Sequence, residues 1–221
     1  MIKHLNNIIN CLKTNPIIFD KHLDDGRLNS AENESEVLNL LLQHFDNIKI
    51  PKIREWYDFK IIDLNNNNNN NGNNGNNNEI FVNIKISDLD KDNNYADNLS
   101  SKIGMGYALT GKNDLSIQWE KFHKQIKENI KIGYDYYFLI VNKNNSCDAF
   151  WTSLKRIETL IPNGNNLPFQ CDWSKNRNFS TRNEIQAIYY ILEQYIESWN
   201  KKVKGYPFDL KEMLINNNLI C

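Results

Sequence analysis

Between residues 65 and 78 the chain is almost pure asparagine, broken only by Gly72 and Gly75. Asn and Gly tolerate positive φ and bury nothing, so this run predicts a long loop and leaves its flanks to make the structure. Upstream, Asp58–Leu64 (D-F-K-I-I-D-L) alternates like a half-buried strand. Downstream, Glu79–Ser87 (E-I-F-V-N-I-K-I-S) puts Val82, Ile84 and Ile86 on one face and Phe81, Asn83, Lys85 and Ser87 on the other. Two strands joined by an expanded hairpin loop are the simplest expectation.

The remaining periodicities place helices around that hairpin. Glu34–Phe45 sets Val37, Leu38, Leu41 and Phe45 on one helical stripe, with Glu34 at its start. Asp97–Leu109 and Gln118–Ile130 read as helices separated by the turn Thr110–Asp114. Tyr134–Val141 (Y-D-Y-Y-F-L-I-V) reads as a buried strand, paired with Ala149–Thr152 across a polar turn. Thr181-Arg182-Asn183-Glu184 has the form of a capping box, followed by Ile185, Ile188, Tyr189, Leu192, Tyr195, Ile196 and Trp199 at helical spacing. The expected class is α/β, a mixed central β-sheet flanked by helices. At 221 residues, 40% of them hydrophobic, a single domain over 1–221 with the loop at 65–78 is expected.

Composition excludes some functions and leaves others open. A net charge of -1 gives no overall positive field, so any nucleic-acid contact must come from local placement of Lys and Arg. Cys11, Cys147, Cys171 and Cys221 form no C-x-x-C pair, which argues against a structural zinc site and for reduced thiols. Ile2–Leu12 is interrupted by Lys3, His4, Asn6 and Asn7, unlike a signal peptide, and no stretch approaches the ~20 apolar residues of a membrane span. A cytoplasmic protein with no membrane partner is expected.

The chemistry is in the hairpin. Cutting a phosphodiester requires oxygen ligands for a divalent cation that polarises the phosphate, and a lysine that orients water and offsets developing charge. Asp58 at the start of the first strand and Lys85 inside the second can converge at one end of a sheet, and Asn83 shares the face of Lys85. Elsewhere the readings are plainer. His123 in W-E-K-F-H-K-Q reads as a partly exposed structural histidine, and His4, His22 and His44 carry no better signal. Asp88, Asp90 and Asp92 lack the Gly and terminal Glu of a calcium loop and read as a solvated turn.

Several passages together carry a family resemblance. They are Glu34-Ser35-Glu36-Val37, Arg54-Glu55-Trp56-Tyr57-Asp58, Phe81 to Ser87, and Ala96 to Lys102 running on to Tyr107-Ala108-Leu109-Thr110-Gly111. Asn166 to Trp173 and Phe179 to Glu184 add to them. In this order, over roughly residues 30 to 200, the chain resembles small type II restriction endonucleases of the PD-(D/E)xK nuclease superfamily. The resemblance implies a restriction-endonuclease-like fold and Mg2+-dependent, site-specific hydrolysis of double-stranded DNA. It also implies a homodimer and a cognate DNA methyltransferase in the same host. Asp58, Asn83 and Glu34 would hold the metal, with Glu36 as the fallback for Glu34, and Lys85 would act on the water. The class pattern has Asp or Glu where this chain has Asn83, so one ligand charge is missing.

Candidate DNA contacts fall in two places. Ser100, Ser101 and Lys102 can bind phosphate near a helix start. Lys175, Arg177, Asn178, Thr181, Arg182 and Asn183 form a polar cluster before the last helix, with the side-chain types that read base edges. Two other readings remain open: a non-restriction nuclease of the same superfamily, and a DNA-binding homologue without catalysis.

Overall fold

The computed structural model describes residues 2–19, 26–51, 55–62, 79–90, 97–99, 102–164 and 169–202. The Asn-rich run therefore lies outside the described residues, as do Arg54, Ser100 and Ser101. The chain is mixed α/β and divides into two compact units: residues 1–91 with 137–151, and residues 92–136 with 152–221.

The first unit is built on a five-stranded mixed sheet in the order β1-β2-β3-β5-β6. Its strands are β1 (Ile48–Lys49), β2 (Phe59–Ile62), β3 (Glu79–Ser87), β5 (Tyr137–Asn142) and β6 (Asn145–Ser153), whose last two residues fall in the second unit. The expected hairpin is present: β2 pairs antiparallel with β3, Phe59 opposite Val82 and Ile61 opposite Ile80. β3 then pairs parallel with β5, Asn83 beside Phe138 and Lys85 beside Ile140. Two helices, α1 (Ile2–Thr14) and α2 (Gly26–His44), belong to this unit. Leu5, Ile8 and Leu12 of α1 and Val37 and Leu41 of α2 share one buried cluster with Phe59, Ile61, Ile80, Val82 and Ile84. Period-two alternation thus sends the branched residues of β3 under the helices and leaves Phe81, Asn83 and Lys85 on the opposite face.

The second unit holds a three-stranded sheet, β4-β8-β7, made of β4 (Asp97–Asn98), β7 (Ile161–Pro162) and β8 (Phe169–Cys171). Its helices are α3 (Lys102–Thr110), α4 (Trp119–Asn129) and α5 (Glu184–Lys202). The helix expected from Asp97 begins only at Lys102, because Asp97 and Asn98 pair with Cys171 and Gln170 as a strand. α3 packs closely through small residues: a Cβ on Gly104 would meet the Tyr136 ring at 2.6 Å, and one on Gly106 would meet Leu115 and Phe122. Gly111 ends the helix at φ 71, a conformation that favours glycine.

The last helix is capped two residues later than Thr181-Glu184 implied. Asn183 Oδ1 accepts from Gln186 N at 2.9 Å, and Asn183 N donates to Gln186 Oε1 at 2.9 Å, which is the reciprocal box. Glu184 is used elsewhere, accepting from Gly133 N at 2.7 Å and from Lys155 Nζ at 2.6 Å. The buried stripe shifts accordingly to Ala187, Ile188, Ile191, Leu192, Tyr195 and Ser198, while Ile185 is exposed. No helix among the described residues is long and apolar enough to cross a membrane.

Candidate functional site

Asp58 sits one residue before β2, where the antiparallel register sets it opposite Asn83. Its N–H donates to Val82 O at 2.9 Å, and its carboxylate Oδ2 accepts from Ile84 N at 2.6 Å. A strand N–H points sideways in the plane of the sheet, so the carboxylate lies beside β3 at the point where β2 has not yet begun. Oδ1 carries no hydrogen bond among the described residues. Burial pushes the Asp58 pKa up, while the Ile84 N–H and the Lys85 ammonium both hold it down.

Lys85 is half-buried on β3, and among the described residues it makes no hydrogen bond or ion pair; its charge acts on Asp58 through space. Two residues back on the same face, Asn83 is 8% exposed and its buried Oδ1 has no hydrogen-bond partner among the described residues. An unpaired buried carbonyl costs about 1–3 kcal/mol, so its persistence calls for an explanation. The floor beside it is apolar, since Phe138 and Ile140 are the register partners of Asn83 and Lys85 on β5. At the other end of the face, Lys60 and Glu79 pair at 2.7 Å, and Trp56, Tyr57 and Phe81 stack edge-on and tilted at ring distances of 4.8 to 5.1 Å.

Glu34 and Glu36 are both partly buried on α2. Glu36 Oε2 is buried without a hydrogen-bond partner among the described residues. Among the described residues, no three of His, Cys, Asp and Glu gather as a metal site. The structure therefore brings Asp58, Asn83 and Lys85 together, a set with one carboxylate, one amide oxygen and one ammonium.

No protein-family model matches the chain, and no curated protein matches it either. The site must be read from its own chemistry. Asp58 Oδ1 and Asn83 Oδ1, hard oxygens with no hydrogen bond among the described residues, beside the Lys85 ammonium and an apolar floor, would fit a divalent cation of the magnesium type better than a soft metal.

The candidate DNA contacts belong to the second unit. Lys102 is buried: its ammonium donates to Ile117 O and lies 4.0 Å from the centroid of the Trp119 ring. Lys175, Arg177, Asn178 and Thr181 are exposed, and Lys175 pairs with Asp172 at 3.0 Å. Arg182 is held within the fold, donating to Ile157 O, Glu158 O and Ser180 Oγ at 2.9 to 3.1 Å, with its guanidinium 3.8 Å over Tyr190. Asn183 caps α5. The loop before α5 is fixed from beneath by Asn176, 1% exposed, which accepts from Thr159 N and donates to Asp172 O.

His123 is buried rather than partly exposed, with Nε2 2.8 Å from the Tyr195 hydroxyl. Burial, and then the Lys102 ammonium, lower its pKa from 6.5 to about 4. The unfolded chain therefore binds a proton that the folded one refuses. Stability is complete above pH 6.5 and declines as pH falls toward 4, by roughly 3 kcal/mol at about 1.4 kcal/mol per pH unit. Replacing His123 with Phe should flatten this part of the acid-denaturation profile, measured by circular dichroism between pH 7 and 4. An unchanged profile would show that other groups control it.

Proposed function

We propose that this chain is a Mg2+-dependent, site-specific endonuclease for double-stranded DNA with a restriction-endonuclease-like fold. The observation that carries the reading is that, among the described residues, the buried Asn83 Oδ1 has no partner, the Asp58 carboxylate bonds through one oxygen only, and the Lys85 ammonium is unpaired. An acid at the start of one strand and an x-K pair on its antiparallel neighbour can supply the cation ligand and the ammonium that metal-assisted phosphodiester cleavage uses.

Asp58 and Asn83 would hold the cation, with a further charge from α2. A divalent cation held by these residues would supply Lewis-acid chemistry, polarising the phosphate and making water more acidic. Lys85 orients the attacking water by hydrogen bonding and offsets the charge that builds on the phosphoryl oxygens. Burial raises the Asp58 pKa, and the Ile84 N–H and the Lys85 ammonium oppose that rise. Base reading is assigned to the exposed Lys175, Arg177, Asn178 and Thr181 of the Asn176-braced loop. Two-fold assembly on a palindrome and a host methyltransferase protecting the same sites belong to this reading.

Digestion of phage and plasmid DNA with Mg2+ is the direct test. Discrete, reproducible fragments are expected. A smear would point to a nonspecific nuclease, and intact DNA that is nevertheless retarded on a gel to a binding protein.

Asn83 separates this reading from an inactivated site. Asn83→Asp adds a charge beside Asp58 and should lower the Mg2+ concentration for half-maximal cutting by about 10-fold. The maximal rate need not rise, because the added charge repels phosphate. Asn83→Ala should raise the requirement by a similar factor. If neither variant moves the metal titration, Asn83 is no ligand.

A further inference from the structure

Phe179 stands in water on a polar loop of the second unit, 43% exposed between Asn178 and Ser180. A single exposed apolar residue is ordinary; the way this one is held is not. The loop is pinned on either side of it. Ahead, the buried Asn176 accepts from Thr159 N at 2.9 Å and donates to Asp172 O at 2.7 Å. Behind, Ser180 N donates to Arg156 O at 2.8 Å, and Arg182 donates to Ile157 O at 3.1 Å and Glu158 O at 2.9 Å. Both anchors grip the same stretch, residues 156–159, and the three residues between them, Arg177, Asn178 and Phe179, are all exposed. A tripeptide fixed at both ends presents its guanidinium, amide and phenyl ring with little backbone entropy left to lose on binding.

The ring itself is also held. The guanidinium of the half-buried Arg156 lies over it, 4.8 Å from the centroid. A cation over an aromatic face is attracted by the ring quadrupole and so fixes how the ring is turned. The acids nearby are engaged with other cations: Asp172 pairs with Lys175 at 3.0 Å, Glu184 with Lys155 at 2.6 Å, and Glu158 lies 3.8 Å from Arg182. A flat apolar ring backed by one guanidinium and flanked by another, with an amide between, matches a flat ligand that carries an anion and hydrogen-bonding edges. A nucleobase beside its phosphate has that chemistry, and every base offers a π face. An apolar protein surface would match the ring but leave Arg177 and Asn178 to be desolvated without partners.

We propose that Phe179 is a stacking platform for one base of the bound DNA, received where a base step opens, with Arg177 and Asn178 engaging the phosphate and base edges beside it. This rests on the assignment of DNA reading to this loop and adds a contact that hydrogen-bonding side chains cannot make. Opening a step costs least where the duplex is flexible, as at pyrimidine–purine steps, so Phe179 reads deformability where its neighbours read edges.

The test is binding to a duplex that carries the sequence mapped by digestion or footprinting, with 2-aminopurine placed at successive positions in and around it. The parent chain should raise the fluorescence at one position, where the base leaves its neighbours. Phe179→Ala should abolish that rise and weaken binding about 10–100-fold, the scale of losing one base–aromatic stack. Phe179→Tyr keeps the ring and should behave as the parent does. Phe179→Leu keeps apolar bulk without a π face and should resemble Phe179→Ala, which a merely structural role would not require. Thermal melts establish that each variant is folded. If Phe179→Ala or Phe179→Leu binds with parental affinity and fluorescence, Phe179 is no stacking platform, and DNA reading by Arg177 and Asn178 stands without it. If Phe179→Ala instead changes the sedimentation of the free chain and leaves DNA binding intact, the ring serves contact between copies and the proposal is overturned. If the parent chain neither cuts nor binds duplex DNA, the DNA reading fails and the stacking role with it.

Discussion

Lys85→Ala should fold as the parent chain does, still bind DNA, and cut it at least ~100-fold more slowly, the scale of loss when one positioned charge is removed from a reacting centre. The fold should tolerate the change because Lys85 makes no hydrogen bond or ion pair among the described residues. The substitution has a second signature. Lys85 holds the Asp58 pKa down against its burial, so without the ammonium that pKa rises further. Protons then compete with the cation at higher pH, and the acid limb of metal binding should move up. Lys85→Arg restores the charge, and with it the pH dependence of binding. It should not restore the rate, because a planar guanidinium cannot orient the same water. Near-parental cleavage by Lys85→Ala would remove Lys85 from the chemistry.

The hairpin that carries these residues was legible because its information is local. Alternation in Glu79–Ser87 sets which side chains share a face, and the observed strand has those same bounds. Given Asp58 at the head of the preceding strand, the register with Asn83 follows from the pairing of Phe59 with Val82. Tertiary demands overruled local pattern in the second unit. Thr181-Glu184 and Asn183-Gln186 both fit the spacing of a capping box, and the choice between them depends on Lys155 and Gly133, which claim Glu184 from distant parts of the sequence. Ser100-Ser101-Lys102 looks like a phosphate-binding helix entry, yet Lys102 is turned inward over Trp119. The oxygens of Asn33, Glu36 and Asn83 that meet no donor among the described residues had no signature in sequence, since an asparagine or glutamate reads the same whether its oxygen meets water, a donor or nothing. Spacing did offer one hint: Asn33, Glu36 and Val37 recur at three and four residues, which places two polar groups against a buried position.

Asp58→Asn separates the cost of the site from its use. Burial raises the folded-state pKa of Asp58 above its unfolded value, so the native chain holds that proton more tightly than the unfolded one does. Ionised Asp58 therefore opposes folding at neutral pH, and the penalty fades as pH falls through the folded and then the unfolded pKa. Asparagine keeps an oxygen to accept from Ile84 N and carries no charge to desolvate. The variant should melt above the parent at pH 7 without divalent cation, and the gap should close toward pH 3. Mg2+ should reverse the order. A ligand at 100 times its Kd stabilises the parent by about 2.7 kcal/mol, and a variant that has lost its carboxylate ligand gains little. Cleavage by Asp58→Asn should fall about 10²–10³-fold at least, matching the loss of a group on which the charge stabilisation depends. A variant that is less stable than the parent in cation-free buffer would mean that the Ile84 N–H and Lys85 already compensate the burial of Asp58, and the site would then hold no destabilising charge for a cation to relieve.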